Sequence, residues 1–165
     1  VMASQFNSVV SKSLGSLQSW SREAHGLTGI TSYGKFQVLV YDTAVIKISI
    51  TQHDLFDDFS YAVVATPAGA DFTISEQNDT LELKTSQVLL SISKQAVRFR
   101  FADNNGTVLN EDDAAFGTSW NGEQVTTYKK LQSGERFIGL GEKTGGLDRR
   151  GSGYQNWTTD VYAYN

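Results

Sequence analysis

Residues that could bind a polar ligand are concentrated near the end of this 165-residue chain. From Gly139 onward, closely spaced glycines alternate with arginine, tyrosine, tryptophan and aspartate. Glycine lets the backbone turn where a side chain would obstruct it, and the other residues supply hydrogen bonds and flat apolar faces. The residues in question are Arg149, Arg150, Tyr154, Trp157 and Asp160. This mixture is typical of a loop that meets a polar, ring-shaped ligand rather than of a core.

Other residue types that carry chemistry are sparse. The two histidines, His25 and His53, lack partners at the spacing of an acid–base pair or a metal site, so we expect surface residues. Acidic runs at 54–58 and 111–113 could offer oxygens to calcium, but their spacing fits no EF-hand, and solvated loop charge is expected. Cysteine is absent, which excludes disulfides and a cysteine nucleophile. The segment 139–141 lacks the third glycine and the helix of a phosphate loop. No metal site or cofactor is predicted.

Alternating apolar and polar residues predict an all-β fold. Phe36, Val38 and Val40 share one strand face, and residues 45–50 alternate in the same way after a turn at 42–43. Residues 103–106, Asp-Asn-Asn-Gly, predict a second hairpin turn. Further strands are predicted at 61–65, 72–75, 80–85, 88–93, 96–102, 108–110, 124–130 and 137–140. This succession of short strands and polar turns indicates an antiparallel β-sandwich.

One segment has helical periodicity. Apolar residues recur at three- and four-residue spacing from Met2 to Trp20, although serines and Gly15 weaken the pattern. At most a short N-terminal helix is therefore expected.

Bulk properties restrict the class of protein. The net charge of −4 and the pI near 5.1 argue against nucleic acid as a partner. No apolar run approaches membrane-spanning length, and residues 1–13 lack the pattern of a secretory signal. A periplasmic or extracellular location is favoured over a cytoplasmic one.

The C-terminal motif resembles a known family. Residues 139–160 read Gly-Leu-Gly-Glu-Lys-Thr-Gly-Gly-Leu-Asp-Arg-Arg-Gly-Ser-Gly-Tyr-Gln-Asn-Trp-Thr-Thr-Asp. They are similar to the end of the N-terminal β-sandwich of glycoside hydrolase family 31, which includes α-glucosidases and α-xylosidases. Thr158 stands where the family usually has Asn. Weaker matches at 14–15, 19–20, 38–50 and 60–63 extend the resemblance to residues 14–165, with 1–13 as an N-terminal extension.

The resemblance implies a galactose mutarotase-like sandwich without catalytic residues of its own. Retaining glycosidases use two carboxyl groups as nucleophile and acid/base. In this family both lie on a (β/α)₈ barrel that follows the sandwich. We therefore expect a segment of a longer protein that hydrolyses terminal α-linked sugars, glucose first, with the segment packed on that barrel. The sequence does not distinguish glucose from xylose or galactose.

The resemblance implies a role for Asp160, and the chemistry of the neighbouring residues suggests theirs. Asp160 is the first candidate to contact substrate, since a carboxylate accepts several charge-assisted bonds from sugar hydroxyls. Trp157 and Tyr154 are weaker candidates, with packing between domains favoured for Trp157. Arg149 and Arg150 are expected to pair with carboxylates of a neighbouring domain or with Glu142. Asp148, a nearby carboxylate, is expected to be solvated.

Three other functions remain open. A stand-alone carbohydrate-binding module would need exposed aromatic rings, for which Trp20, Trp120 and Trp157 are available. An aldose epimerase would use histidine with glutamate, and the two histidines here are poor candidates. A structural or adhesion sandwich would leave the loop motif without a role.

Overall fold

A computed structural model describes residues 11–55, 60–141 and 143–156. Within these ranges the chain forms twelve β-strands and no helix, so none of the described residues belongs to a helix able to cross a membrane. The strands are β1 (Lys12–Ser13), β2 (Leu17–Glu23), β3 (Gly26–Thr31), β4 (Lys35–Asp42), β5 (Val45–Thr51), β6 (Thr73–Glu76), β7 (Thr80–Lys84), β8 (Val88–Ser93), β9 (Phe99–Asp103), β10 (Val108–Glu111), β11 (Thr118–Asn121) and β12 (Gln124–Thr127).

The strands form three antiparallel sheets. One has the order β2-β3-β4-β5, the second β10-β9-β8-β7-β6, and the third β1-β11-β12. In the two larger sheets, strands adjacent in sequence are also adjacent in space, as the predicted run of hairpins requires. The predicted all-β, antiparallel sandwich is confirmed. Because β1 pairs with β11, the sandwich includes two residues of the segment expected to be an N-terminal extension.

A shared apolar layer joins the two larger sheets. Apart from Leu14, the largest fully buried residues come from alternate positions of β3, β4, β7 and β8: Leu27, Phe36, Val38, Val40, Leu81, Leu83, Leu90 and Ile92. The rings of Phe36 and Phe99, one from each sheet, meet edge to face with centroids 5.2 Å apart and planes at 82°. The alternation read from the sequence thus places one face of each sheet in a common core.

Gly29 has no side chain and so leaves the space that the Phe36 ring occupies in the core. The two residues are opposite each other in the β3–β4 register. A Cβ atom on Gly29 would lie 2.2 Å from Cζ of the ring, closer than any real contact. A residue with a side chain at position 29 would therefore displace the ring at the centre of the sandwich.

Both predicted turns are confirmed. Asp42 ends β4 and its carboxylate accepts a hydrogen bond from the Thr43 backbone N–H at 2.6 Å. Between β9 and β10, the Asp103 carboxylate accepts bonds from the backbone N–H groups of Asn105 (2.9 Å) and Thr107 (2.8 Å). Gly106 there has φ of 85°, which glycine adopts without strain.

Edge strands of the two larger sheets are linked by side chains. The Trp20 indole N–H in β2 donates to Oε2 of Glu76 in β6 at 3.0 Å, and Lys94 donates to Oε1 at 2.6 Å. Hydrogen bonding from Lys94, and then from Trp20, lowers the pKa of Glu76. Trp20 also packs partly against the core. The ring is thus engaged within the sandwich and is not an open platform for a ligand.

Residues 61–65 form no strand, so that prediction was wrong. Tyr61 is 93% exposed and Val64 is 91% exposed. The hydroxyl of Ser60 accepts hydrogen bonds from the backbone N–H groups of Ala62 and Val63, which gives this backbone a local alternative to a sheet ladder. Pro67, two residues after Ala65, lacks the N–H that a strand would donate.

The N-terminal helix is not found in the described residues. Leu17 and Trp20, which have the helical spacing, lie in β2, and β3 follows as a strand that the sequence did not predict. Residues 1–10 lie outside the described ranges. Packing on the core overrides the weak helical periodicity here, because a serine-rich segment has little intrinsic preference for helix.

The acidic run 111–113 is structural rather than solvated. Asp112 is 5% exposed, and its carboxylate accepts hydrogen bonds from the Phe99 backbone N–H at 2.9 Å and from Lys129 at 2.5 Å. Asp113 accepts bonds from the backbone N–H groups of Ala115 and Phe116. In the other run, Asp54 pairs with Lys35 at 2.5 Å. The described residues contain no group of three potential metal ligands.

Removing the Asp112 carboxylate is expected to destabilise the sandwich. Asp112→Ala leaves a buried backbone N–H and the Lys129 ammonium without their acceptor, at a cost of about 2–3 kcal/mol. The matched control is Asp54→Ala, which breaks an exposed pair and should cost less than about 1 kcal/mol. Urea unfolding of the three proteins measures both effects. Equal midpoints for the two variants would contradict the structural role of Asp112.

Candidate functional site in the C-terminal segment

Residues from Leu131 onward form a second compact unit, distinct from the one that ends at Lys130. Its described parts, 131–141 and 143–156, contain no strand, so the strand predicted at 137–140 was wrong. The Phe137 N–H donates to the Asp148 carboxylate instead of to a sheet partner. Leu140 has φ of 68°, a left-handed conformation outside the strand region.

Arg149 organises this unit from inside. Its side chain is 8% exposed, and its guanidinium donates to the backbone carbonyls of Thr144 (3.0 Å) and Lys143 (3.2 Å). Its own backbone N–H donates to the Phe137 carbonyl at 2.7 Å. Among the described residues its acceptors are carbonyl oxygens, and Glu142, one of the carboxylates expected as a partner, lies outside them. The Nε atom is buried and has no hydrogen-bond partner there.

Arg150 is exposed and links distant parts of the unit by hydrogen bonds. One terminal nitrogen donates to the backbone carbonyls of Gln132 at 3.0 Å and Glu135 at 2.7 Å. The guanidinium therefore ties residue 150 to the beginning of the segment, some fifteen to eighteen residues earlier. As with Arg149, the acceptors among the described residues are backbone carbonyl oxygens.

Asp148 is exposed, as expected, but it also holds the backbone. Its Oδ1 accepts hydrogen bonds from the backbone N–H groups of Phe137 and Arg150, both at 3.1 Å. These bonds, that from Arg150 first, lower the pKa of Asp148. A variant at this position would change the loop itself, so Asp148 does not serve as a neutral control for its neighbours.

Tyr154 lies against the buried arginine. The Arg149 guanidinium carbon is 5.2 Å from the centre of the Tyr154 ring, within the range of a cation–π contact. Hydrogen bonding from Arg149 to the phenolate, followed by that from Ser152, lowers the pKa of Tyr154. The ring is half-buried. Tyr154 therefore supports the loop, and it also presents one edge to the cavity beside it.

A cavity of about 390 Å³ lies within this unit. Its lining combines apolar residues with polar ones: Leu131, Phe137, Leu140, Arg149, Arg150, Gly151, Ser152, Tyr154 and Asn156. Apolar walls with a few fixed polar groups suit a ring with a hydroxyl rim. The sequence indicated the arginines and Tyr154 but not Leu140, whose signal is its position between two glycines that also have positive φ, Gly139 and Gly141.

Three predicted residues lie outside the described ranges: Asp160, Trp157 and Glu142. The structure therefore brings together Arg149, Arg150 and Tyr154 in one unit and leaves the assignment of Asp160 as a prediction.

Comparison with protein-family models gives a match over residues 35–165. The family is described as the glycosyl hydrolase 31 N-terminal galactose mutarotase-like domain. The match covers most of the chain and includes the whole C-terminal motif. The chain belongs to this family.

Individual relatives agree with the family. Alpha-glucosidase 2 of Bacillus thermoamyloliquefaciens is 33% identical over 134 residues, which cover 74% of this chain and 17% of the relative. A family 31 dextranase of Flavobacterium johnsoniae, solved with glucose, has a TM-score of 0.82 at 28% identity over 93% of this chain and 20% of its own. A family 31 α-xylosidase of Xanthomonas citri has a TM-score of 0.69 at 27% identity, over 80% of this chain and 16% of its own. The chain spans about a fifth of the length of these relatives.

Loss of the Arg149 guanidinium is expected to loosen this unit alone. Arg149→Met removes two charge-assisted bonds, so amide exchange at residues 143–152 should accelerate about tenfold to a hundredfold. Arg136→Met, at an exposed arginine of the same segment, is the control and should change little. Hydrogen exchange monitored by NMR measures both. Equal acceleration in the two variants would show that Arg149 does not organise the loop.

Proposed function

We propose that this chain is the non-catalytic N-terminal domain of a retaining α-glycosidase that hydrolyses terminal α-linked sugars. The match of the family model across residues 35–165 carries the proposal. Residues 14–165 are assigned to this domain, although Lys12 and Ser13 also join its sheets. In this assignment the two catalytic carboxyl groups belong to a (β/α)₈ barrel elsewhere in the enzyme, and the sandwich packs on that barrel.

The C-terminal segment is the part we assign to the substrate pocket. Its backbone is fixed by Arg149, Arg150 and Asp148 rather than by strands. A loop held in this way can present side chains to a ligand at little entropic cost on binding, because its backbone is ordered beforehand. We assign the direct hydrogen bond to sugar hydroxyls to Asp160, with Trp157 and Tyr154 as weaker contacts.

Glucose is the sugar we propose first. Among the relatives named above, one is an α-glucosidase and another is a dextranase solved with glucose, while a third is an α-xylosidase. Whichever of these sugars is bound, the proposed substrate is an α-linked aldopyranose. No metal or organic cofactor is part of it, because the chemistry of such an enzyme needs only two carboxyl groups.

A carbohydrate-binding module built on tryptophan is less well supported. Trp120 is 8% exposed and belongs to the core cluster, and Trp20 is held by Glu76. Two of the three rings that such a platform would use are therefore engaged inside the sandwich. Trp157 lies outside the described ranges.

The 165-residue chain by itself is expected to have no glycosidase activity. The reason is that the nucleophile and the acid/base are assigned to another domain. The measurement is release of the chromophore from an aryl α-glucoside by the purified chain. Hydrolysis that persists in preparations free of contaminating enzyme would overturn the proposal.

Asp160→Ala in the full-length enzyme is expected to weaken catalysis without affecting the fold. One lost charge-assisted bond to a sugar hydroxyl should lower kcat/KM on oligosaccharides about tenfold to a hundredfold. The free energy of unfolding should change by less than about 0.5 kcal/mol. The shape of the pH–rate profile should not change, since Asp160 takes no part in the proton transfers.

The matched control is Glu123→Ala. Glu123 is an exposed carboxylate in the turn between β11 and β12, and no contact with substrate is assigned to it. Its removal should leave kcat/KM as in the wild type. Equal kinetics for Asp160→Ala, Glu123→Ala and the wild type would show that the loop does not touch substrate.

A further inference from the structure

A second cleft, of about 410 Å³, opens on the outer face of the five-stranded sheet. It lies where β7 and β9 begin and where β8 and β10 end. Every residue that lines it belongs to the unit that ends at Lys130, so it is separate from the cavity in the C-terminal segment. The proposed function assigns no role to this face.

The register of the sheet places hydrogen-bonding side chains in a row across this face. Ser91 in β8 is opposite Arg100 in β9, and Arg100 is opposite Glu111 in β10. Thr80 in β7 is opposite Ser93 in β8. The residues adjacent to Ser91 and Ser93, such as Ile92, are buried in the core, so these polar side chains point outward. Serine and threonine hydroxyls, the Arg100 guanidinium and the Glu111 carboxylate therefore lie side by side on this face.

The wall of the cleft is fixed by hydrogen bonds of its own. Arg98 donates to the backbone carbonyls of Asp113 at 3.1 Å and Ala115 at 3.2 Å, which holds the loop after β10 in place. Gly117 makes room for this arginine, since a Cβ atom there would lie 2.6 Å from Nε of Arg98. The hydroxyl of Ser93 donates to the Ala96 carbonyl at 2.5 Å. A wall ordered in advance favours binding.

The charges that line the cleft identify the class of ligand. Two arginines and two acids face it, so the cleft favours neither an anion nor a cation. Arg98 and Asp112 are already committed within the protein. Arg100 and Glu111 form a long ion pair, with 4.0 Å between Nε and Oε1, and Lys130 lies 3.5 Å from Oε2 of Glu111. At these distances the guanidinium and the carboxylate both keep hydrogen-bonding capacity for a ligand.

Apolar side chains also line the cleft. Ala96 and Ala114 line the cleft beside the polar row. A sugar ring has apolar C–H faces and a rim of hydroxyls that both donate and accept hydrogen bonds. Small apolar walls with a donor such as Arg100 and an acceptor such as Glu111 match both features. We propose that this cleft binds one ring of a neutral carbohydrate, as a site separate from the C-terminal segment.

Titration of the 165-residue chain with maltose, glucose and xylose tests the proposal, with backbone amide resonances observed by NMR. We expect saturable shifts at residues of the cleft, at 91–100 and 111–115. Arg100→Met, which keeps the aliphatic stem but loses the donors, should weaken binding by about tenfold or more. Lys84→Met, on another part of the same sheet, should bind as the wild type does.

A second variant keeps the proposal testable if Arg100→Met does not fold. Ser91→Ile keeps Arg100 and places a strand-forming side chain in the cleft, so it should abolish the shifts while the core resonances remain in place. Absence of saturable shifts with all three sugars would overturn the proposal. Shifts confined to residues 131–156 would also overturn it, and so would sugar affinity that is unchanged in both variants. Binding of inorganic phosphate in place of sugar would overturn it as well. None of these outcomes would affect the proposed role of the C-terminal segment.

Discussion

The apolar layer between the two larger sheets is the constraint on which the fold depends. At its centre the Phe36 ring lies over Gly29 and meets the edge of Phe99 from the other sheet. Because side chains alternate along a strand, every buried position fixes its neighbours on the outer face. The core therefore determines the register of each strand, and the register determines which polar groups share the outer face of the five-stranded sheet. The row from Ser91 to Glu111 is a consequence of the burial of Leu90, Ile92 and Phe99.

The C-terminal segment is stabilised by a different means. It lacks strands in its described part, and its order comes from side chains that bind the backbone: Arg149 from within, Arg150 from the exposed side and Asp148 at the turn. Such a segment gains little from apolar burial, so its conformation rests on a few charged hydrogen bonds. Leu140, with its left-handed backbone, shows that these contacts hold the chain in a conformation that a non-glycine residue rarely adopts. This kind of loop is suited to present side chains to a ligand without being part of the core.

The sequence predicted the strands whose apolar alternation is unbroken, such as β4, β5, β7 and β8. It failed where local hydrogen bonds compete with a sheet, as at Ser60 and Asp148, and it did not predict the strand β3. The family resemblance is confirmed, and the match includes the C-terminal motif. It did not predict that the arginines bind backbone carbonyls, because the sequence does not show which oxygens a folded loop will present. The sequence also did not predict that Asp112 is buried, because its partners Phe99 and Lys129 are distant in sequence.

The central claim is that a domain without catalytic residues contributes a wall of the sugar site through its C-terminal segment. A crystal structure of the full-length enzyme with a bound oligosaccharide tests this most directly. The account predicts a sugar hydroxyl within about 3 Å of the Asp160 carboxylate, the distance of a charge-assisted hydrogen bond. A sugar contacted only by other parts of the enzyme, with residues 131–165 beyond the reach of a bridging water, would contradict it.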